Sequence, residues 1–233
     1  MAPRHNLIGL EPPLLIVPAA GVGRRVQYPE SKEMLLDENN LPLIEWALSL
    51  AEERNWPVHV ISRPEKKNLE AHLNSRKQTI DISLQQIRGS IEYSHSLLMS
   101  RGHWRAHNIV ILPDTRWEPR SAVDQIAAAL QAGHSSCYGT FEADNGAEWG
   151  VVSAGEGALE IAEKCAPPQR AQAWGLLGFH REVGDEILAA HLNSHLGRMP
   201  VKLAANCALV PLQWFQDLTR NGWPNPQLLR PLA

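Results

Sequence analysis

Apolar positions fall along this chain in short bursts separated by polar turns. Residues 14–18 (LLIVP) form an unbroken apolar run that ends in Ala19-Ala20-Gly21, which predicts a buried strand. Over residues 42–54, Leu43, Trp46, Ala47 and Leu50 recur at helical spacing behind Pro42, a residue suited to a first helical turn. Residues 57–62 alternate as a strand, 63–75 read as a polar helix, and 80–84 as a short strand. Residues 90–101 predict a helix, and 109–112 (IVIL) a central parallel strand. An alanine-rich helix follows over 121–132, then a strand over 136–143. Residues 149–154 and 158–162 predict a hairpin turning at Gly155 and Gly157. A strand over 173–179 and a helix over 185–195 come next. The chain then reads as strand-like over 201–212 and as a short helix or turn over 214–220.

Strands alternate with helices through the first half, which argues for an α/β fold with three α/β/α layers and a mostly parallel mixed sheet. Beyond residue 140 the strand signals dominate. We read them as a β layer completing one domain over 1–233, with halves at 14–135 and 136–233. The proline-rich end, WPNPQLLRPLA, is expected to wrap the surface or fray.

Composition narrows the function classes. The chain has 233 residues, 44% apolar and 20% charged, enough for a sizeable core. A formal charge of −3 gives no broad attraction to nucleic acid or acidic lipid, so neither is expected as a partner. Cys137, Cys165 and Cys207 lack metal-type spacing and read as reduced thiols of a cytoplasmic protein. Pro12 and Pro13 interrupt the N-terminal segment, which argues against a signal peptide, and no apolar run approaches membrane-spanning length. His103, His107, His191 and His195 read as surface or packing residues. No Ser-His-Asp set or nucleophile elbow is present.

The chemistry-bearing stretch is AAGVGRRVQYPESKEML, residues 19–35. It lacks the GxxxxGK[ST] of a Walker A loop, and Val26 stands where a dinucleotide fingerprint needs its third glycine. What remains is a strand, a glycine turn and a set of cations. Gly21 and Gly23 let successive N–H groups approach an anion, while Arg24, Arg25 and Lys32 supply positive charge.

This string resembles the signature loop of the sugar-1-phosphate nucleotidylyltransferases, at Gly21, Gly23, Arg25, Val26, Pro29, Lys32, Met34 and Leu35. Ser31-Lys32-Glu33 is similar to the thymidylyltransferase subgroup, whereas Arg24 replaces a small hydroxyl residue. Further segments resemble the family in the same order: LPLIEWALSLAEE, ILPDTRWEP, EWGVV, EKCAPP, AWGLLGFHR and a weaker WFQDLT. QQIRGSIEYS falls where the family reads the base.

The resemblance implies a Rossmann-like fold of the nucleotide-diphospho-sugar transferase type. It implies transfer of a nucleoside monophosphate from a nucleoside triphosphate to a sugar 1-phosphate, with release of pyrophosphate. It assigns Arg25, Lys32 and Asp114 to catalysis, and Ala20, Gly21, Gly23, Arg24, Gln86 and Gly89 to the nucleotide. It assigns Trp149, Gly150, Glu163, Lys164 and Trp174 to the acceptor. Mg²⁺ on Asp114 and Asp217 is the implied cofactor, and a homo-oligomer is in keeping with the family. Two alternatives stay open: a cytidylyltransferase for a non-sugar phosphate or phosphonate, and a catalytically reduced binding domain.

Overall fold

The computed structural model describes residues 11–22, 31–154, 158–203 and 206–219. At its centre lies β1 (Leu14–Pro18), every residue of which is buried. Its neighbours β2 (Val58–Ser62) and β4 (His107–Ile111) both pair with it in parallel, and β3 (Ile82–Gln86) extends the parallel ladder beyond β2. Covered on both faces, β1 needs no polar face, which is why its sequence is an apolar run, whereas β3, ISLQQ, is only partly buried.

Alternate residues of β1 feed two cores. Leu15 and Val17 pack with α1 (Glu45–Arg54), α2 (Lys67–Arg76) and α4 (Ala122–Gln131). Leu14 and Ile16 pack with α3 (Tyr93–Met99) and α5 (Arg181–Gly197) on the other face. The result is the expected three-layer α/β/α arrangement. Each fully buried Leu, Ile or Val here contributes about 1.5–3 kcal/mol.

The second half joins at β4, where β9 (Ala171–His180) pairs antiparallel. On its other edge β9 carries β6 (Ser136–Ala143), again antiparallel, and β11 (Cys207–Pro211) pairs parallel with β6. The expected hairpin is formed by β7 (Gly150–Ala154) and β8 (Leu159–Glu163), and it meets β9 at Val151–Ala173. The short β10 (Val201–Lys202) borders β8. Among the described residues this is one ten-stranded sheet, parallel on the β1 side and mainly antiparallel beyond β4.

Three expectations are corrected. Pro42 does not open α1; it bridges to Leu36, and the helix begins at Glu45. Residues 201–212 are not one strand: β10 and β11 join different parts of the sheet. Residues 214–217 are not helical but form β12 (Trp214–Asp217), antiparallel to β5 (Thr115–Glu118) in a separate two-stranded ribbon. The prolines and arginines of the C-terminal segment lie outside the described residues. Among those described, no helix is long and apolar enough to cross a membrane.

Candidate functional site

A cavity of about 300 Å³ opens beyond the carboxyl ends of β1 and β4, the position where open α/β sheets place ligand groups. The chain leaving β1 contributes Ala20, Gly21 and Val22 to its wall, and the chain leaving β4 contributes Leu112, Pro113 and Asp114. The third contributor is a single 3-10 turn, Lys32–Met34, which presents Lys32.

These elements bring the predicted charges together. Lys32 Nζ lies 2.5 Å from Asp114 Oδ2. The β5–β12 pairing sets Asp217 opposite Thr115, next to Asp114. Thr219 joins the two acids: its hydroxyl donates to Asp114 Oδ2 at 2.5 Å and lies 3.1 Å from Asp217 Oδ1, and its N–H donates to Asp217 Oδ1 at 2.9 Å. Burial pushes the Asp114 carboxyl up, but Lys32 and the Thr219 hydroxyl outweigh it and hold it below its ordinary value. Lys32 is the converse case. Burial pulls its ammonium down, and Asp114, Glu33 and Asp217 carry it above the usual range. Asp217 is held high by burial and by the charge of Asp114.

Two adjacent carboxylates that repel each other suit a small hard cation. Mg²⁺ takes oxygen ligands, often only one or two carboxylates, with waters and substrate phosphates completing its octahedron. The donor set fits that description. Among the described residues no group of three or more His, Cys, Asp or Glu gathers to form a fuller protein cage.

At the far side of the cavity, β8 ends in Glu163, paired with Gly150 at the start of β7, and the flanking Lys164 and Trp149 also line the wall. Lys164 has φ 54°, a left-handed turn tied by its N–H to Trp149 O at 3.0 Å. Glu163 is 3% exposed and Trp174 6% exposed. One oxygen, Glu163 Oε1, accepts from Tyr93 Oη at 3.0 Å and Trp174 Nε1 at 3.0 Å, and lies 2.7 Å from His191 Nδ1. Burial raises this carboxyl, and the His191, Tyr93 and Trp174 contacts reverse the shift and keep it low. The second ring nitrogen of His191 lies 3.0 Å from Tyr138 Oη, so every polar group of this buried cluster has a partner.

The cavity thus unites Ala20, Gly21, Lys32, Asp114, Trp149, Gly150, Glu163, Lys164, Trp174 and Asp217. Gly23, Arg24 and Arg25 lie outside the described residues. Gln86 and Gly89 are not among the lining residues. Gln86 donates to Glu70 at the end of β3, and Gly89 occupies a positive-φ turn. Ser90, Ile91, Glu92, Tyr93 and Ser96 line that side instead. His195, read from sequence as a packing or surface residue, also lines the wall. Burial and then Lys164 lower its ring.

Sequence reasoning missed Tyr93 and Phe215 at the cavity, the buried Thr219 bonded to Asp114, and a buried pair behind it. Lys66, 8% exposed, donates to Glu33 Oε1 at 2.9 Å and to Glu33 Oε2 at 2.8 Å, and Glu33 is wholly buried. No local motif announces these contacts.

No protein-family model matches the chain, and no curated protein does. Solved structures do. A protein described as a glucose-1-phosphate thymidylyltransferase of Bacillus anthracis, crystallised with sucrose, superposes at TM-score 0.72 and 16% identity, covering 88% of this chain and 90% of its own. A UDP-glucose pyrophosphorylase of Acinetobacter baumannii gives 0.66 at 14% identity, with 89% of each chain covered. A UTP-bound form of that organism's enzyme gives 0.64 at 16%, with the same coverage. At these identities the likeness speaks for architecture: this chain has the α/β fold of the nucleotide-diphospho-sugar transferases.

Proposed function

We propose that the protein transfers a nucleoside monophosphate from a nucleoside triphosphate to a sugar 1-phosphate, releasing pyrophosphate. The observation that carries the reading is the Lys32–Asp114–Asp217 cluster at the carboxyl ends of β1 and β4, in a fold that solved nucleotidyltransferases share.

The acceptor phosphate oxygen attacks the α-phosphorus in line, and the bond to the β-phosphate oxygen breaks. Little covalent work falls to the protein; positioning and neutralising charge supply the rate. The backbone at Ala20 and Gly21 receives the triphosphate, and Arg25 is assigned to the departing pyrophosphate. Lys32 turns from Asp114 toward the α-phosphate. Lys164 meets the acceptor phosphate across the cavity. Mg²⁺ held by Asp114 and Asp217 would draw charge from the phosphate oxygens. No general base is required, because a phosphate monoester is largely ionised near neutral pH. Three scattered cysteines read as reduced thiols favour a cytoplasmic setting.

A second reading, a compact phosphate or phosphonate acceptor, is favoured by Trp174. Its indole N–H is bonded to Glu163, and a Cβ placed on Gly150 would collide with that indole nitrogen. The indole N–H therefore already occupies the carboxylate oxygen that a sugar hydroxyl would use. Pyrophosphate release with Mg²⁺, four NTPs, a panel of sugar 1-phosphates and a panel of small alkyl phosphates and phosphonates tests both readings. Turnover with the first panel supports the main reading, and turnover confined to the second supports the alternative. NTP binding without turnover on either panel would leave a binding domain.

A further inference from the structure

Lys66 has three N–H bonds to donate and three acceptors around it. Besides the two Glu33 oxygens it reaches the backbone carbonyl of Ala19 at 2.6 Å. Ala19 follows β1 directly and is pinned to β2 by its own N–H, 2.7 Å from Ile61 O. Glu33 is pinned as well: Ser31 Oγ donates to Oε2 at 2.5 Å, and its backbone carbonyl accepts from Ile44 N at 3.1 Å. The ammonium therefore binds together the residues on either side of the glycine–arginine stretch, one end at Ala19 and the other at Glu33.

A buried ion pair is weak evidence for stability, since an apolar pair of similar volume is often as stable or more so. What this pair supplies is placement. Ala20 and Gly21 follow Ala19 into the cavity wall, and Lys32 precedes Glu33 on the 3-10 turn. The two neighbours on that turn face opposite ways, Lys32 to Asp114 and Glu33 to Lys66.

We propose that Lys66 is a positioning residue, which staples both ends of the phosphate-binding stretch so that Lys32 and the Ala20–Gly21 backbone meet a triphosphate in fixed register. The proposal rests on the nucleotidyl-transfer reading above.

Two variants test it. K66M alone strands a buried Glu33 and is expected to melt early. E33Q/K66M removes both charges and is expected to melt within a few degrees of the parent. With the NTP that the parent binds most tightly in the presence of Mg²⁺, the double variant is expected to lose about 100-fold in kcat/KM, the cost of an ångström-scale misplacement. That loss should come with a raised NTP KM and an unchanged acceptor KM, and calorimetry should show weakened Mg²⁺–NTP binding. A double variant that binds and turns over like the parent overturns the staple alone, as does one that fails to fold, since the pair would then be structural. A parent that binds none of the four NTPs defeats the functional reading and takes this inference with it.

Discussion

Asp114 and Asp217 come from residues about a hundred positions apart and share one threonine hydroxyl. Lys32 balances the first of them; burial and the charge of that first carboxylate push the second above its ordinary value. Two carboxyls set side by side cost stability through their mutual repulsion. Replacing Asp217 by Asn removes one of two like charges, worth roughly 1 kcal/mol, or about 2–4 °C for a chain of this length. In metal-free buffer the variant is expected to melt higher than the parent. Adding Mg²⁺ should raise the parent's melting temperature and leave the variant nearly unmoved, with turnover greatly reduced. Equal Mg²⁺ shifts in the two proteins would remove Asp217 as a ligand. At this scale the sequence was legible where residues sit in a local string: Lys32 and Asp114, singled out by the segments around them, both line the cavity. Lys66, Tyr93 and His191 were not. Their partners lie 33, 70 and 28 positions away, and nothing near them in sequence announces the contact.

Among the elements, the apolar runs were read well because burial on both faces leaves no alternative composition. β6 was placed at its observed bounds and the β7–β8 hairpin at nearly its own. β12 was misread because four residues, WFQD, are too few to distinguish a period of two from a helical turn. Its strand character comes from tertiary partners: Phe215 stacks on Phe141, and a Cβ on Gly175 would collide with the Phe215 ring. That packing sets the register which delivers Asp217. β2 shows a different concealment. His59 looked like the polar member of an alternating strand, yet it is wholly buried. Its Nδ1 lies 2.8 Å from Ser83 Oγ, Nε2 lies 3.3 Å from Gln85 Oε1, and the ring stacks on His103. Burial, then the neighbouring His103, lowers its pKa from 6.5 to about 4. A folded-state value below the unfolded one means the neutral ring stabilises the fold above pH 6.5. That contribution is lost as pH falls toward about 4, and it amounts to about 3 kcal/mol over the whole range. Denaturant melts of the parent and of His59→Gln between those pH values check this. The variant is expected to lose less stability on acidification, and parallel pH profiles would show that His59 is not the titrating group.

Over the whole molecule, the cavity sits where two kinds of sheet meet. β3, β2, β1 and β4 form the parallel part, and β9 turns the sheet antiparallel beside β4. Lys32, Asp114 and the Ala20–Gly21 backbone belong to the first part; Gly150, Glu163 and Lys164 belong to the second. The alternation of strands and helices made the parallel part legible, since crossover helices dictate it. The seam itself was not legible, because pairing between β4 and β9 joins residues nearly seventy positions apart. A triphosphate held by the first part binds only the folded chain, so its binding energy should appear in global stability. A ligand at 100 times its Kd adds about 2.7 kcal/mol, or about 5–10 °C at this chain length. One of the four NTPs with Mg²⁺ is expected to give a shift of that size by differential scanning fluorimetry. Chelating the metal should remove most of it, because Asp114 and Asp217 would then face the phosphates without an intervening cation. A full shift that survives chelation would show that Lys32 and the backbone hold the nucleotide unaided. The absence of a shift with all four NTPs at saturating concentration would remove the triphosphate from this cavity altogether.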